Sequence, residues 1–301
     1  MKIILFLMVL QGFIFVGSIS AKAEPESSEK VKKVSPWKLS GNSALNFVQS
    51  SFSNWAAGGK NAIAGTASSN LKLVYKKEKI TWENTLDMAY GLTYQGSDRS
   101  KNNDKIDFSS KIGYFAFKNW SYTFLGSFKS QFDKGYAKYP VTEGAMYNSR
   151  FAAPAYIGLS LGMDYKPCPD FSLVISPVSS KFTLVLDDTL SKLGVFGVHP
   201  GKKAYYEFGA YLKSTYSKKL HDNINLNTKL ELFSNLLKTP ENIHVSWELK
   251  IDMKVTKFIS SKIEFQLLYD DKTKIRHDDG TLSGPKVQFK EVLEIGFSYS
   301  F

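Results

Sequence analysis

The residues of this 301-residue chain best suited to chemistry are lysines and carboxylates at even spacing. Lys229 and Glu231, then Glu248, Lys250 and Asp252, then Lys262 and Glu264, then Lys290 and Glu294 recur through the last third. In an extended chain, residues i and i+2 share a face. Opposite charges on neighbouring strands can then pair across the ladder. Such a face has two uses. It can fill and neutralise the interior of a small barrel, or it can line a selective aqueous pathway.

Catalytic chemistry has less to stand on. The histidines are His199, His221, His244 and His277. His244 shares its face with Ser246 and Glu248, but same-face neighbours on one strand stand ~7 Å apart, beyond hydrogen-bond reach. The chain has no G-x-S-x-G, no H-E-x-x-H and no glycine-rich phosphate loop. His277-Asp278-Asp279, with Asp270-Asp271, can attract a divalent cation, although a solvated acidic loop is the simpler reading. The single cysteine, Cys168, sits in a Lys-Pro-Cys-Pro turn and cannot form a disulfide within the chain. The expectation is no catalytic residue, no cofactor, no metal and no enzyme activity.

The elements that position these charges are strands of period two. Ile243, Val245, Trp247, Leu249, Ile251, Met253 and Val255 alternate with His244, Ser246, Glu248, Lys250, Asp252 and Lys254. Val287, Phe289, Leu293, Ile295, Phe297, Tyr299 and Phe301 share one face of the last segment, where only Glu291 and Val292 break the pattern. Strands are expected near 37–50, 62–76, 80–95, 105–117, 120–132, 154–166, 171–186, 204–216, 223–233, 243–255, 258–270 and 287–301. That gives twelve, with ten or fourteen open because Pro177 interrupts the seventh; a proline within a strand marks a bulge, an edge or a break.

Several segments exceed the usual 5–6 residues of a soluble strand and reach the ~9–11 that a tilted transmembrane strand needs. Short connections alternate with longer ones near 51–61, 96–104, 133–153, 187–203, 234–242 and 271–286. This is the habit of outer-membrane barrels with short periplasmic turns. A soluble sandwich or lipocalin-like barrel also alternates. Segment length, loop asymmetry and 14% aromatic residues favour the membrane form. The expected fold is all-β, a closed antiparallel up-and-down transmembrane barrel over residues 37–301.

The N-terminus reads as a secretory signal. Met1-Lys2 supplies a basic start, Ile3 to Val16 carries no charge, and Ala21-Lys22-Ala23 has the form that signal peptidase cuts. Residues 1–23 are expected to be removed near Ala23, leaving 24–36 as a polar, flexible periplasmic tail. Net charge is +11. The basic excess is dispersed and accompanied by no nucleic-acid motif, so no nucleic-acid partner is expected. The Ser53–Asn61 segment, with Trp55, Gly58 and Gly59, reads as an interface anchor, and Asp187–Leu193 as a helical turn before Gly194.

An ordered set of short motifs adds to this. Gln49 with Trp55-Ala56-x-Gly58-Gly59, Phe128-Lys129-Ser130-Gln131-Phe132 with Gly135-Tyr136, and Pro154-Ala155-Tyr156 come first. Ser160-Leu161-Gly162, Ser176-Pro177, Tyr269-Asp270 and Gly296…Tyr299…Phe301 follow. Together they resemble a family of Bacteroidota outer-membrane proteins classed as a domain of unknown function. The resemblance implies an outer-membrane β-barrel and supplies no substrate or catalytic residue. A Gram-negative outer membrane is the expected location, with lipid and the outer-membrane insertion machinery as partners. Phe301 is the expected insertion signal. The expected role is a narrow or gated channel for small solutes; the alternative is an accessory barrel that binds other envelope proteins.

Overall fold

The computed structural model describes residues 35–51, 61–96, 98–136, 146–273, 275–276 and 282–301. The expected signal segment, the Trp55-Gly58-Gly59 stretch and His277-Asp278-Asp279 lie outside them. Twelve long antiparallel strands close into a barrel: β1 Trp37–Ser50, β2 Ala62–Lys77, β3 Ile80–Gln95, β4 Asp98–Phe117, β5 Trp120–Ser130, β8 Ala155–Cys168, β9 Phe171–Leu184, β10 Ala204–His221, β11 Ile224–Asn235, β12 Thr239–Lys254, β13 Ile259–Tyr269 and β16 Gln288–Ser300. Two small hairpins, β6 Gly135–Tyr136 with β7 Tyr147–Ser149 and β14 Ile275–Arg276 with β15 Leu282–Ser283, stand apart from the wall. Each barrel strand pairs with its neighbour in the chain's order, and β16 meets β1 to complete the circuit.

The sorting of side chains is the reverse of a water-soluble core. Leu45, Phe47, Ile80, Ile112, Phe124, Leu293, Ile295, Phe297 and Tyr299 are exposed on the outside, whereas Glu207, Glu231, Glu248, Glu264 and Glu294 are buried within. Water tolerates no exposed apolar surface of this extent on a free monomer, and hydrocarbon requires it. Aromatic side chains gather at the short-turn end, where Trp37 packs on Tyr75 and Trp82, and Trp120 on Tyr165. Their amphipathic rings suit a membrane interface. Phe301 closes the C-terminus at this end, its backbone paired in both directions with Gly41.

Two connections differ from expectation. Residues 96–104 and 234–242 are not long loops, because β4 begins at Asp98, β11 runs to Asn235 and β12 begins at Thr239. The polar stretch Asp98–Asp104 is strand whose outer face lacks the alternating apolar residues that reveal the other strands. At this end of the barrel, long connections leave β1, β5, β9 and β13, and the remaining two are tight.

Pro177 creates a bulge, and the strand continues through it. Gly209 pairs with Ser179 and Tyr211 with Ser176, while Leu161 pairs with Val178 and Met163 with Ile175, so β9 holds one extra residue against both neighbours. The bulge exchanges the two faces. Ser172, Val174 and Ser176 are buried inward before it, and Ser179, Lys181 and Thr183 carry the inner face after it. Gly162 accommodates the irregularity, since a Cβ there would run into the backbone of Ile175 and Ser176. Pro177→Ala should therefore leave the heat-modified gel shift of the folded barrel unchanged. Deleting Pro177 should lower stability to urea by about 2 kcal/mol or more, because Lys181 would turn toward lipid.

Candidate functional site

The charged face predicted from the sequence points into the lumen, and the structure shows what it meets there. Lys105 of β4 pairs with Glu248 of β12 at 2.5 Å. Five strands separate β4 from β12 in either direction around the wall, so this contact spans the barrel. Lys229 of β11 reaches Asp107 of β4 at 2.9 Å. Asp87 of β3 accepts from Lys105 at 2.8 Å and from Lys250 of β12 at 2.7 Å. Glu248 also faces Lys250 at 3.3 Å and Lys229 at 3.7 Å. Three lysines and three carboxylates thus form a neutral belt across the waist.

The belt divides the lumen. On the long-loop side lies a chamber of about 410 Å³, on the short-turn side one of about 780 Å³, and Asp107, Leu125, Lys229 and Glu248 border both. Further pairs lock the walls above and below. Lys129 pairs with Glu231, which also accepts from Tyr211 at 2.8 Å. Lys262 pairs with Glu294 at 2.9 Å, and Asn46 donates to the same carboxylate at 2.8 Å. Lys111 pairs with Asp164 at 2.7 Å, while Glu83 binds Lys166. Asp252 accepts from Asn227 at 3.4 Å, and Glu264 faces Lys262 at 3.7 Å. Such pairs, once enclosed, are costly to break singly, because the remaining charge loses its counter-charge.

Lys290 is the exception. It donates to Asn103 of β4 at 3.0 Å, and no carboxylate stands within ion-pair distance among the described residues. Sequence reasoning placed the inner face of the last strands, and Glu83 and Asp87 on the polar face of the segment from Ile80, but missed Lys105, Asp107, Lys111, Asp164, Lys181, Glu207 and Lys213 as counterparts. Their even spacing within β4, β8, β9 and β10 was an available signal.

His244 gathers a second cluster at the long-loop end. Its ring nitrogens lie 3.3 Å from Asp270 and 2.9 Å from Asp271. Lys181 sits 2.8 Å from Nδ1 and pairs with Asp270 at 3.0 Å, while Lys272 pairs with the buried Glu207. The His244, Asp270 and Asp271 donors lie close enough together for a cation. The ammonium groups of Lys181 and Lys272 already supply positive charge there, so the donor set does not favour a metal. Ser246 and Glu248, on the same strand as His244, are not its partners; Glu248 belongs to the belt.

Above this cluster the 185–203 connection folds as a small cap. Helix α1, Asp188–Lys192, has Asp187 as its N-cap, and Gly194 follows it at φ +63°. Ala153, Val185, Leu190 and Val198 form a buried apolar cluster against Tyr147 and Phe196, and Phe196 lines the roof of the long-loop chamber. Asp187 ties the cap down, accepting from Leu190 N at 2.9 Å, Tyr147 OH at 2.8 Å and Arg150 at 2.9 Å. Burial alone would raise its pKa, but these donors outweigh it and hold the carboxyl below its ordinary value.

Set beside known proteins, the chain is similar over residues 47–136 to the model of a family of unknown function, DUF3078. No curated protein matches it. Among solved structures it resembles an outer membrane channel from Pseudomonas putida F1, at 10% identity and TM-score 0.39, over 92% of this chain and 100% of that one. It also resembles the translocator domain of the autotransporter NalP from Neisseria meningitidis, at 11% identity and TM-score 0.35, over 90% of each chain. The NanC porin follows at 9% identity and TM-score 0.35, over 85% of this chain and 98% of that one. The fold assignment stands on the twelve ladders themselves.

Asp187 makes the cap sensitive to acid. A depressed pKa means the carboxylate stabilises the folded cap above the unfolded value of ~3.9 and loses that contribution as pH falls through the folded value. Amide protection in 185–203, taken relative to the intrinsic exchange rate at each pH, should hold steady between pH 5 and 7 and fall below pH ~4. Asp187→Ala should accelerate exchange there at neutral pH by about tenfold, as loss of an N-cap of ~1 kcal/mol or more implies.

Proposed function

We propose that this chain is an outer-membrane barrel that acts as a narrow, conditionally opened channel for small solutes. The observation that carries the reading is the belt of Asp87, Lys105, Asp107, Lys229, Glu248 and Lys250 between two chambers. A structural barrel needs a filled interior throughout. Here chambers of about 410 and 780 Å³ are kept on either side of one charged constriction. Both are in the size range of small-molecule sites. Because the belt is neutral as a whole, its partners can exchange without exposing net charge, which lowers the barrier to rearrangement.

In this reading the short turns face the periplasm and the capped end faces outward. Residues 1–23 are cleaved during export, 24–36 remain as a periplasmic tail, and Phe301 is the signal read by the insertion machinery. The exposed aromatic at the end of an outward-facing row, at the short-turn end, supports that last assignment.

Conductance in planar bilayers tests the proposal. The wild-type barrel should be mostly closed, with small discrete openings. Replacing Lys105, Lys229 and Lys250 together by alanine leaves Asp87, Asp107 and Glu248 without counter-charges. Hydrating those carboxylates draws water into the waist. The triple variant, checked for folding by its gel shift, should conduct severalfold more and select cations. Silence of both proteins across a wide voltage range would remove the channel reading.

A further inference from the structure

The barrel wall is not paired evenly. β1 and β2 are hydrogen-bonded along the whole of β1, and β13 holds β16 from Phe297 to Gln288. The closing seam between β1 and β16 runs only from Asn42–Ser300 to Asn46–Gly296. Beyond it, toward the long loops, Phe47–Gln49 of β1 and Gln288–Ile295 of β16 form no ladder with each other. A free strand edge does not face hydrocarbon, where its N–H and C=O groups would go unsatisfied; it is tolerated where it lines a cavity. The long-loop chamber does reach this edge, at Gln288 and Lys290.

At the open seam β1 is apolar on both faces. Val48, in step with the inward Asn46 and Ala44, is apolar and 63% exposed, and its neighbour Phe47 on the outer face is 61% exposed. On β16, Val292 takes an inward position between Lys290 and Glu294, while Glu291 faces out. An apolar strip thus runs from Val48 and Val292 inside to Phe47 and Leu293 outside. Just inside it stands Lys290, which donates to the Asn103 amide and, among the described residues, pairs with no carboxylate.

We propose that the upper β1–β16 seam is a lateral portal through which a single-chain amphiphile with a carboxylate head exchanges between the long-loop chamber and the bilayer. The uncompensated Lys290 takes the head. The tail lies along Val48 and Val292 and passes between the strands into lipid. Glu291, outward on the same strand, offers the head no attraction outside and so leaves it to the chamber. Leu125, Phe233 and Leu268 supply apolar wall within the chamber, whose volume of about 410 Å³ accommodates a ligand of this class. This route is independent of conduction through the belt, so silence in a planar bilayer does not bear on it.

The test uses the full mature barrel in phosphatidylcholine vesicles with spin-labelled dodecanoate. An immobilised spectral component measures occupancy, and chasing with unlabelled dodecanoate measures release. Wild type should bind saturably. Lys290→Met should weaken occupancy by about tenfold, the loss expected of one charge-assisted contact, with the corresponding labelled alcohol binding both proteins equally weakly. Val48→Asn with Val292→Asn should slow release by about tenfold while equilibrium occupancy changes less than about twofold, because a polar lining obstructs the tail's passage without removing the head's partner. Absence of saturable binding, equal binding by Lys290→Met, or unchanged release from the Val48/Val292 variant would each overturn the proposal. A folding check by gel shift accompanies every variant; inward polar substitutions match the rest of the lumen, and Lys290→Gln serves as the alternative should the methionine variant misfold.

Discussion

Hydrocarbon cannot hydrogen-bond, and the rest of this structure follows from that constraint. Backbone groups must pair within the wall, so twelve strands close on themselves. Closure brings the inner faces together, and the inner faces carry charge. A lysine inside a barrel of this size soon reaches the opposite wall. Lys105 therefore meets Glu248 across the lumen, and Lys229 meets Asp107. The belt is the consequence of a sealed exterior enclosing a charged interior that has to neutralise itself.

The same chain applies the opposite rule at one end. In the wall, apolar side chains face out and acids are buried. In the cap, Val185, Leu190 and Val198 are buried together, as they would be in a soluble domain. The change occurs where the strands leave the membrane and water resumes its role as solvent. Asp187 marks the boundary: one carboxylate satisfies a helix amide, a tyrosine hydroxyl and an arginine. The cap is a small aqueous fold on a lipid-adapted wall, and Phe196 carries its apolar surface down to the roof of the chamber.

How far the sequence foretold this depends on whether lipid dictated the pattern. Within the membrane, alternation is obligatory, and strands such as 80–95 and 120–132 were legible to within a residue or two. Pro177 was readable as an interruption, and the ladders resolve it as a bulge that preserves the strand while exchanging its faces. Beyond the lipid no apolar face is required, so the starts of β4 and β12 looked like loop. The inner charges of β11 to β16 were legible individually, because period two assigns a face. Their partners were not. Lys229 and Asp107 are 122 positions apart, Lys105 and Glu248 143, and Lys250 and Asp87 163. Which residues meet depends on strand stagger and lumen width, and local spacing encodes neither.

The seam shows where such a wall is easiest to interrupt. Every other ladder joins consecutive barrel strands, so the chain between them holds the register. β1 and β16 are the first and last strands, and no turn ties them. Their pairing rests on side chains and on the ladder alone, with Asn46 bound to Glu294 at its upper end. Above that point the alternation of β16 inverts at Glu291 and Val292, and β1 turns apolar on both faces at Phe47 and Val48. As the edges of an opening these residues are well placed: the inward valine lines the gap, the outward glutamate stands clear on the rim, and Lys290, which among the described residues pairs with no carboxylate, stands inside.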